Sequence, residues 1–332
     1  MRARTTTISF WVFVAGLLCG GYVLARDLVP RLADSGAALA VAAPIIVIAA
    51  ALIAVIIWAL DRSHAQVRSA WALAFAWGAI GACGLALQVN GFASDAVSDV
   101  LDDPGATVWG AALIGPLDEE TIKGAGVALL LVIFRDRLHR PLQIFAVGAF
   151  AGLGFQVVEN LSYAITFALR DAQSDARGAL TVTLLRALFG FQSHWVYTAF
   201  FALGLALLRS RPALAAVAVA LSYLMHFWWN APSGENPLVV FGLIVLKCAV
   251  TVTLLGLAWW WMIVDQRRWL QGAIRTPEAA KLAPPAELAT LPTRAQRRAG
   301  EEYLRYYYGP AAAQVARQRQ TWLIRELTDR VG

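Results

Sequence analysis

Residues 106–134 form the sequence ATVWGAALIGPLDEETIKGAGVALLLVIF, an apolar run long enough to cross a bilayer as a helix. Asp118, Glu119, Glu120 and Lys123 interrupt it near its middle. Each charge near a bilayer midplane costs roughly 2.5–3.5 kcal/mol on insertion scales. Because the two glutamates precede Lys123 by four and three residues, both carboxylates can share its ammonium on one helical stripe. A structural salt bridge explains one carboxylate but not the second, which favours catalytic or transport use.

The composition is that of a membrane protein. The 332 residues are 59% hydrophobic and 15% charged, with a mean hydropathy of +0.58, whereas soluble domains are about 25% charged. We therefore predict an all-α fold, a polytopic transmembrane helix bundle of about eight spans with a short helical cytoplasmic tail. The apolar segments are Ile8–Ala25, Ala37–Leu60, Ser69–Phe92, Ala106–Phe134, Leu142–Leu169, Leu180–Leu208, Pro212–Ala231 and Leu238–Val264.

Basic residues are distributed asymmetrically between the two sides of the predicted bundle. One set of segment ends carries nine arginines, including Arg2 and Arg4, and the opposite loops carry four. The positive-inside rule then predicts a multi-pass protein of the cell inner (plasma) membrane with both termini cytoplasmic. Since the basic residues behind the net charge of +6 concentrate on one side of the membrane, this charge does not indicate a nucleic-acid partner. The excess of arginine over lysine, with abundant Ala and Gly, is typical of a GC-rich bacterial genome.

The last part of the chain differs in character. Residues 265–332 carry twelve Lys/Arg and seven Asp/Glu, and a proline-rich linker comes first. Thr293 is a candidate cap for a helix that runs to Tyr308, where Gly309 and Pro310 stop it. A second helix is predicted over Ala311–Arg330, with Trp322, Leu323 and Leu327 on one side. We expect a solvated, partly ordered tail; the alternative is docking on anionic lipid or on a cytoplasmic partner.

Three later apolar segments also carry polar side chains, which are costly in contact with lipid. Two intramembrane histidines on separate helices, together with a glutamate pair, indicate a candidate active site. They can meet only if these helices surround a common cavity. For Glu159, an interhelical hydrogen-bond network and a direct role are both open, and an orienting position fits both. The polar residues are Gln156, Glu159, Asn160 and Tyr163 in the fifth segment, Arg186 and His194 in the sixth, and His226 and Asn230 in the seventh.

Four motifs follow one another between residues 106 and 230: Glu-Glu-x-x-Lys, Gly-Phe-x-x-x-Glu-Asn-x-x-Tyr, an intramembrane His, and His-x-x-x-Asn. This ensemble resembles the PrsW family of intramembrane proteases, within the wider CAAX-prenyl endopeptidase and bacteriocin-processing superfamily. Asp118 and Gln156 depart from the pattern, because apolar or small residues are expected there. Residues 1–264 are then a transmembrane protease-like domain with its motif core at 106–231, and residues 265–332 are a basic cytoplasmic tail.

The resemblance implies hydrolysis of peptide bonds within or beside the membrane. It also implies a single-span membrane protein as substrate, in a lipid bilayer, with the first cut of an anti-sigma factor as the example. Hydrolysis needs an activated water, donors for the oxyanion and an acid for the leaving amine. The candidate catalytic residues are Glu119 or Glu120 as base, with Glu119 preferred, His194 to polarise the water, and His226 with Asn230 to donate to the oxyanion. The supporting residues are Lys123, Glu159, Asn160 and Arg186.

Two alternatives stay open at this point. Glu119, His194 and His226 would make a catalytic zinc set with an open fourth position, but the chain has no His-Glu-x-x-His motif, so we favour a metal-free Glu/His mechanism. The second alternative is an ion-coupled transporter, since buried Glu, Lys and His also form proton relays. It would predict broken helices in pseudo-repeated halves, which the sequence does not suggest.

Overall fold

The computed structural model describes residues 7–63, 65–101 and 104–331, so Arg2 and Arg4 of the charge asymmetry lie outside the described residues. The regular secondary structure of this part of the chain is helical, with no strand. The helices are α1 (Ile8–Ala33), α2 (Gly36–Leu60), α3 (Arg68–Ala76), a π-helical segment (Trp77–Ala82), α4 (Cys83–Leu101), α5 (Pro104–Ile133), α6 (Pro141–Arg170), α7 (Asp175–Phe189), α8 (His194–Leu207), α9 (Pro212–Asn230), α10 (Pro237–Ala273), α11 (Pro277–Ala280), α12 (Pro285–Leu288) and α13 (Arg294–Val331).

Six helices of the described chain are long and apolar enough to cross a membrane, which makes this a multi-pass membrane protein. The fourth predicted segment forms one 30-residue helix, α5, but its charges set it apart from these six. The prediction of a single helix over Leu180–Leu208 is wrong, because α7 and α8 have 15 and 14 residues and are separated by residues 190–193. The count of eight spans therefore stays a prediction. The six spans are Ile8–Ala33, Gly36–Leu60, Arg68–Ala93, Pro141–Arg170, Pro212–Asn230 and Pro237–Ala273.

Helix α6 lies at the centre of the bundle. It packs against α2, α3, α7, α8 and the π-helical segment, and small residues on its surface allow the close approach. A Cβ atom at Gly152 would overlap the backbone carbonyl of His194 at the start of α8, and one at Gly78 would overlap the carbonyl oxygen of Ala151. Such contacts let backbones pack closely where lipid supplies no hydrophobic driving force between helices. The position of His194 therefore depends on α6.

The break between α7 and α8 is stabilised by side chains that bond its freed carbonyl groups. Gln156 Nε2 donates to the Gly190 carbonyl at 3.1 Å, and Ser193 Oγ donates to the same oxygen at 2.7 Å. Gln192 Nε2 donates to the carbonyl of Phe189 at 2.8 Å. Backbone groups at membrane depth need such partners because no water is available there. Gln156, which departs from the family motif, therefore stabilises the break between α7 and α8 and is not part of the polar cluster.

A π-helical segment joins α3 to α4. There, Trp77 Nε1 donates to the carbonyl of Ile122 on α5 at 3.0 Å. Ile122 directly precedes Lys123, so this bond holds the charged part of α5 against the continuous helix formed by α3, the π-helical segment and α4. A π-helical turn widens the helix locally and often lies at a functional site.

Two predicted segment ends differ from the structure. Helix α1 continues past Ala25 to Ala33, so Arg26 and Arg31 are helical rather than in a loop. Arg31 pairs with Asp27 one turn earlier, which neutralises this end. Helix α10 likewise continues past Val264 to Ala273, and the domain boundary predicted after residue 264 therefore lies inside a continuous helix.

Both predicted tail helices are present in α13, with a break at Gly309, whose φ of 87° favours glycine. Thr293 Oγ1 caps the first helix by accepting from the Gln296 backbone amide at 3.2 Å. The predicted apolar side needs correction, because Trp322 is 41% exposed and lies over Arg319. A small core packs the tail against the end of α10, and this contact was not predicted from the sequence. The residues of this core are Leu270, Ala279, Ala283, Leu288, Leu291, Leu323, Ile324 and Leu327.

Candidate active site

Lys123 bridges the two glutamates of α5, as their helical spacing predicts. Its Nζ lies 2.6 Å from Glu120 Oε1 and 3.6 Å from Glu119 Oε2. Lys123 and Glu120 are fully buried, and Glu119 is 7% exposed. One ammonium can neutralise only one ionised carboxylate, and Glu120 is the nearer of the two. A purely structural salt bridge between one glutamate and Lys123 accounts for Glu120 but not for Glu119.

Glu120 has a partner for each of its oxygens. Oε1 accepts from Lys123 and lies 2.9 Å from His226 Nδ1, while Oε2 accepts from Thr198 Oγ1 at 2.9 Å. A carboxylate can only accept here, so Nδ1 of His226 carries the proton and its Nε2 keeps a free lone pair. Glu120 is therefore unavailable to a ligand and instead fixes the orientation of the His226 ring.

His194 is oriented by a second carboxylate in the same manner. Its Nε2 lies 2.8 Å from Glu159 Oε2, so the proton is on Nε2. Its Nδ1 lies 3.2 Å from Lys123 Nζ, a donor, which agrees with a lone pair on Nδ1. Both imidazoles therefore present an unprotonated nitrogen to the same space.

That space is bounded by a carboxylate oxygen of Glu119. Glu119 Oε2 is buried and has no hydrogen-bond donor among the described residues. It lies 3.8 Å from Nδ1 of His194 and 3.8 Å from Nε2 of His226. These ligand atoms lie within 4.8 Å of one another. Lys123 Nζ lies beside two of these atoms, 3.2 Å from Nδ1 of His194 and 3.6 Å from Glu119 Oε2. Two imidazoles and a carboxylate are a donor set that suits zinc, once Lys123 Nζ keeps only its bond to Glu120.

Arg186 organises the polar residues of α6. Its Nε donates to Asn160 Oδ1 at 2.6 Å, and its guanidinium pairs with Glu159 and lies 4.1 Å from the centre of the Tyr163 ring. Glu159 thus links Arg186 to His194. Three of the four residues of the predicted polar arc meet here, and the fourth, Gln156, lies at the helix break.

A cavity of about 680 Å³ reaches this cluster. Glu119, Glu159, His194 and Asn230 line it, whereas Glu120 and His226 do not. Asn230 Nδ2 donates to the carbonyl of Ala111 at 3.1 Å across the cavity wall. The helices that carry the predicted residues do surround a common space, and Glu119 is the member of the pair that faces it.

Sequence reasoning missed Thr198, which holds Glu120 from α8. It follows His194 by four residues and therefore lies on the same face of the helix. That spacing is a weak signal, because threonine is common in apolar helices. It gains meaning only when Glu120 is known to lie opposite.

Comparisons with known proteins agree with the motifs. A family profile described as PrsW family intramembrane metalloprotease matches residues 66–258, which include every candidate site residue. No curated protein and no solved structure matches the chain. The description names a metalloprotease, which, with the Glu/His/His group, favours the metal-dependent alternative over the metal-free mechanism preferred above. Because the match covers more than half of its 332 residues, the chain belongs to the PrsW family and is an intramembrane protease.

Proposed function

We propose that this protease cleaves a membrane-anchored protein with a water activated at Glu119, His194 and His226, and that these three residues bind a zinc ion. The observation that supports this proposal is the buried Glu119 Oε2, which accepts no hydrogen bond from the described residues and lies 3.8 Å from a nitrogen of each histidine. Ligand atoms of a tetrahedral zinc site lie roughly 3.4 Å apart, since each is about 2.1 Å from the metal. The two glutamate–histidine distances exceed this value by about 0.4 Å, and all three ligand atoms lie within 4.8 Å of one another. Rotation of these side chains would close the site.

Zinc bound here would act as a Lewis acid toward the scissile carbonyl and would make the attacking water more acidic. Glu159 and Glu120 serve the site differently, each by holding the far nitrogen of one imidazole. This fixes the tautomers that direct Nδ1 of His194 and Nε2 of His226 at the water, and such carboxylate–histidine pairs are typical of catalytic metal sites. Lys123 offsets part of the carboxylate charge.

Asn230 is the proposed donor to the carbonyl oxygen of the substrate. It lines the cavity, and its bond to Ala111 uses only one of the two amide hydrogens. The second hydrogen can stabilise the oxyanion as negative charge develops. His226 is committed to Glu120 through Nδ1 and faces Glu119 through Nε2. We therefore move it from the oxyanion role expected from sequence to water activation.

The proposed substrate is a single-span membrane protein, with an anti-sigma factor as the example that the family resemblance suggests. A cavity at membrane depth, lined by both apolar and charged groups, is suited to receive an extended stretch of a substrate span. The family match is to a protease and adds nothing in favour of the ion-coupled transporter.

Metal content tests the zinc assignment directly. We expect the purified chain to hold about one zinc ion per molecule and to lose cleavage of a single-span substrate when a chelator removes it, with recovery on zinc addition. His194→Ala should lose both the metal and the cleavage, whereas His139→Ala, in the loop before α6, should lose neither. Elemental analysis and a gel-based cleavage assay on the same samples give both values. Full activity in a metal-free preparation would refute the zinc site.

Close packing of α6 on α8 should also matter for activity. Gly152→Ala places a methyl group against the carbonyl of His194, so it should displace the start of α8 and lower the cleavage rate roughly 10²-fold, the usual effect of an ångström-scale misplacement. Gly256→Ala is the matched control, because nothing lies within 4 Å of a Cβ there. Equal cleavage rates for the two variants would show that this packing does not set the site.

A further inference from the structure

A second cleft, of about 200 Å³, lies where the α2–α3 loop, α10 and α13 meet, away from the cavity of the active site. Apolar side chains form one part of its wall, and four arginines with one glutamine form the rest. No carboxylate lines it. The lining residues are Arg62, Trp259, Ile263, Gln266, Arg267, Leu270, Pro292, Arg294, Arg297 and Ile324.

The positive charge of this cleft is largely uncompensated. Arg62, Arg267 and Arg294 make no ion pair with any residue in the described ranges, although neighbouring arginines do: Arg140 and Arg211 both pair with Asp265. Like charges gathered at the joint between the bundle and the tail repel one another. An anion bound between them would remove that cost.

Gln266 supplies a polar group that independently requires a ligand. It lines the cleft, is 7% exposed, and its Oε1 accepts from Arg140 Nε at 3.2 Å. Because Arg140 can only donate, the amide is oriented with its Nε2 away from Arg140. That nitrogen is buried without an acceptor in the part of the chain that the structure describes. A buried amide of this kind is costly unless something accepts its hydrogens.

The position of the cleft along α10 indicates the source of the anion. Trp259, Trp260 and Trp261 lie in the last two turns of the apolar part of this helix, which ends at Val264, and Trp260 is 63% exposed. Tryptophan concentrates at the level of lipid headgroups. The charged residues from Asp265 onward then lie just beyond that level. A ligand in the cleft would place an anionic group among the arginines and an apolar part along Trp259 and Ile263.

We infer that this cleft binds the phosphodiester headgroup of an anionic phospholipid, with Gln266 Nε2 and the arginines as donors to the phosphate oxygens. Basic clefts between helices on the cytoplasmic side of a membrane suit such headgroups. The bound lipid would fasten the tail to the bilayer beside the bundle. A free phosphate would satisfy the arginines but would leave the apolar wall without a role.

Binding of a fluorescent short-chain phosphatidylglycerol to the full chain in neutral detergent tests this. We expect saturable binding that Arg267→Gln/Arg294→Gln weakens about tenfold, as expected for the loss of charge-assisted hydrogen bonds. The control is Arg268→Gln/Arg298→Gln, which removes the same charge from exposed positions on the same two helices outside the cleft; it should change the affinity less than twofold. Equal weakening in both pairs would mean only a diffuse surface charge and would overturn the site.

Gln266→Glu tests the buried donor without removing the acceptor for Arg140. It should retain the fold and weaken binding at least tenfold, because a carboxylate would face the phosphate. Affinity equal to that of the wild type would overturn the role of Gln266 and with it the site. Phosphatidylcholine that competes as well as phosphatidylglycerol would overturn the anionic selectivity. Displacement of the lipid by millimolar inorganic phosphate would assign the cleft to a soluble phosphate instead.

Discussion

Replacement of Glu119 by glutamine is expected to lower the rate of peptide-bond cleavage at least about 10³-fold while the protein stays folded. Glu119 Oε2 is buried, accepts no hydrogen bond within the described chain, and lies 3.8 Å from a nitrogen of each imidazole. Glutamine keeps the shape of the side chain but removes the charge that would hold a metal or take a proton from water. The loss should therefore appear in kcat and in bound zinc rather than in folding.

Glu120→Gln is the informative comparison. Glu120 is sealed between Lys123, Thr198 and His226, so its substitution should act through the orientation of His226 and cost roughly 10–100-fold, as for other residues that orient a metal ligand. Glu235→Gln, the same change at an exposed position in the loop between α9 and α10, should leave the rate unchanged. The measurement is the initial rate of cleavage of a single-span substrate by each purified variant. Equal losses at positions 119 and 120 would contradict the separate roles.

The sequence could not choose between these two glutamates, for a physical reason. Adjacent residues on a helix point about 100° apart, so both can reach Lys123, and the choice depends on what the facing helices present. Thr198 on α8 and His226 on α9 complete the surroundings of Glu120, and neither contact is encoded in the local pattern of α5. By contrast, the i,i+3 and i,i+4 contacts to Lys123 are local and were predictable.

The same distinction explains what was predicted of the fold. The long helices were predictable from the apolar runs, because the length and composition of a run are enough to predict a membrane-spanning helix. The break between α7 and α8 was missed, since Leu180–Leu208 is apolar on both sides of residues 190–193. Its stability depends on distant partners: Gln156 on α6 and Cys248 on α10, which donates to the carbonyl of Phe189. A helix interruption supported from other helices leaves little local signal.

Tail helices were predictable for a different reason. Thr293, Gly309 and Pro310 act through local backbone chemistry, and the structure has a cap and a break at these positions. The side that each helix buries was harder to predict, because it depends on where α10 ends. Helix α10 runs nine residues past its expected end and carries Leu270 into the tail core. Trp322 lies outside this core and is exposed.

Lys123→Met should be the most destabilising of the substitutions considered. Lys123 is fully buried and is the ammonium nearest to both carboxylates. Removal of one partner from a buried ion pair typically costs 3–5 kcal/mol, because the remaining charge has neither water nor a counter-ion. We expect a loss of about this size in the free energy of unfolding, measured in mixed micelles of detergent and sodium dodecyl sulfate. Lys247→Met removes another buried lysine, whose hydrogen-bond partners in the described chain are carbonyl and hydroxyl oxygens; it should cost about 1–2 kcal/mol.

A double variant separates charge from packing. Glu120→Gln added to Lys123→Met removes the stranded carboxylate, while the new amide oxygen can still accept from His226 Nδ1 and the new amide nitrogen can donate to Thr198 Oγ1. The double variant should therefore regain at least half of the stability that Lys123→Met loses, an interaction that a double-mutant cycle measures directly. Additive losses would mean that Lys123 stabilises the bundle by filling space. Recovery would mean that its charge holds the glutamate pair inside the membrane.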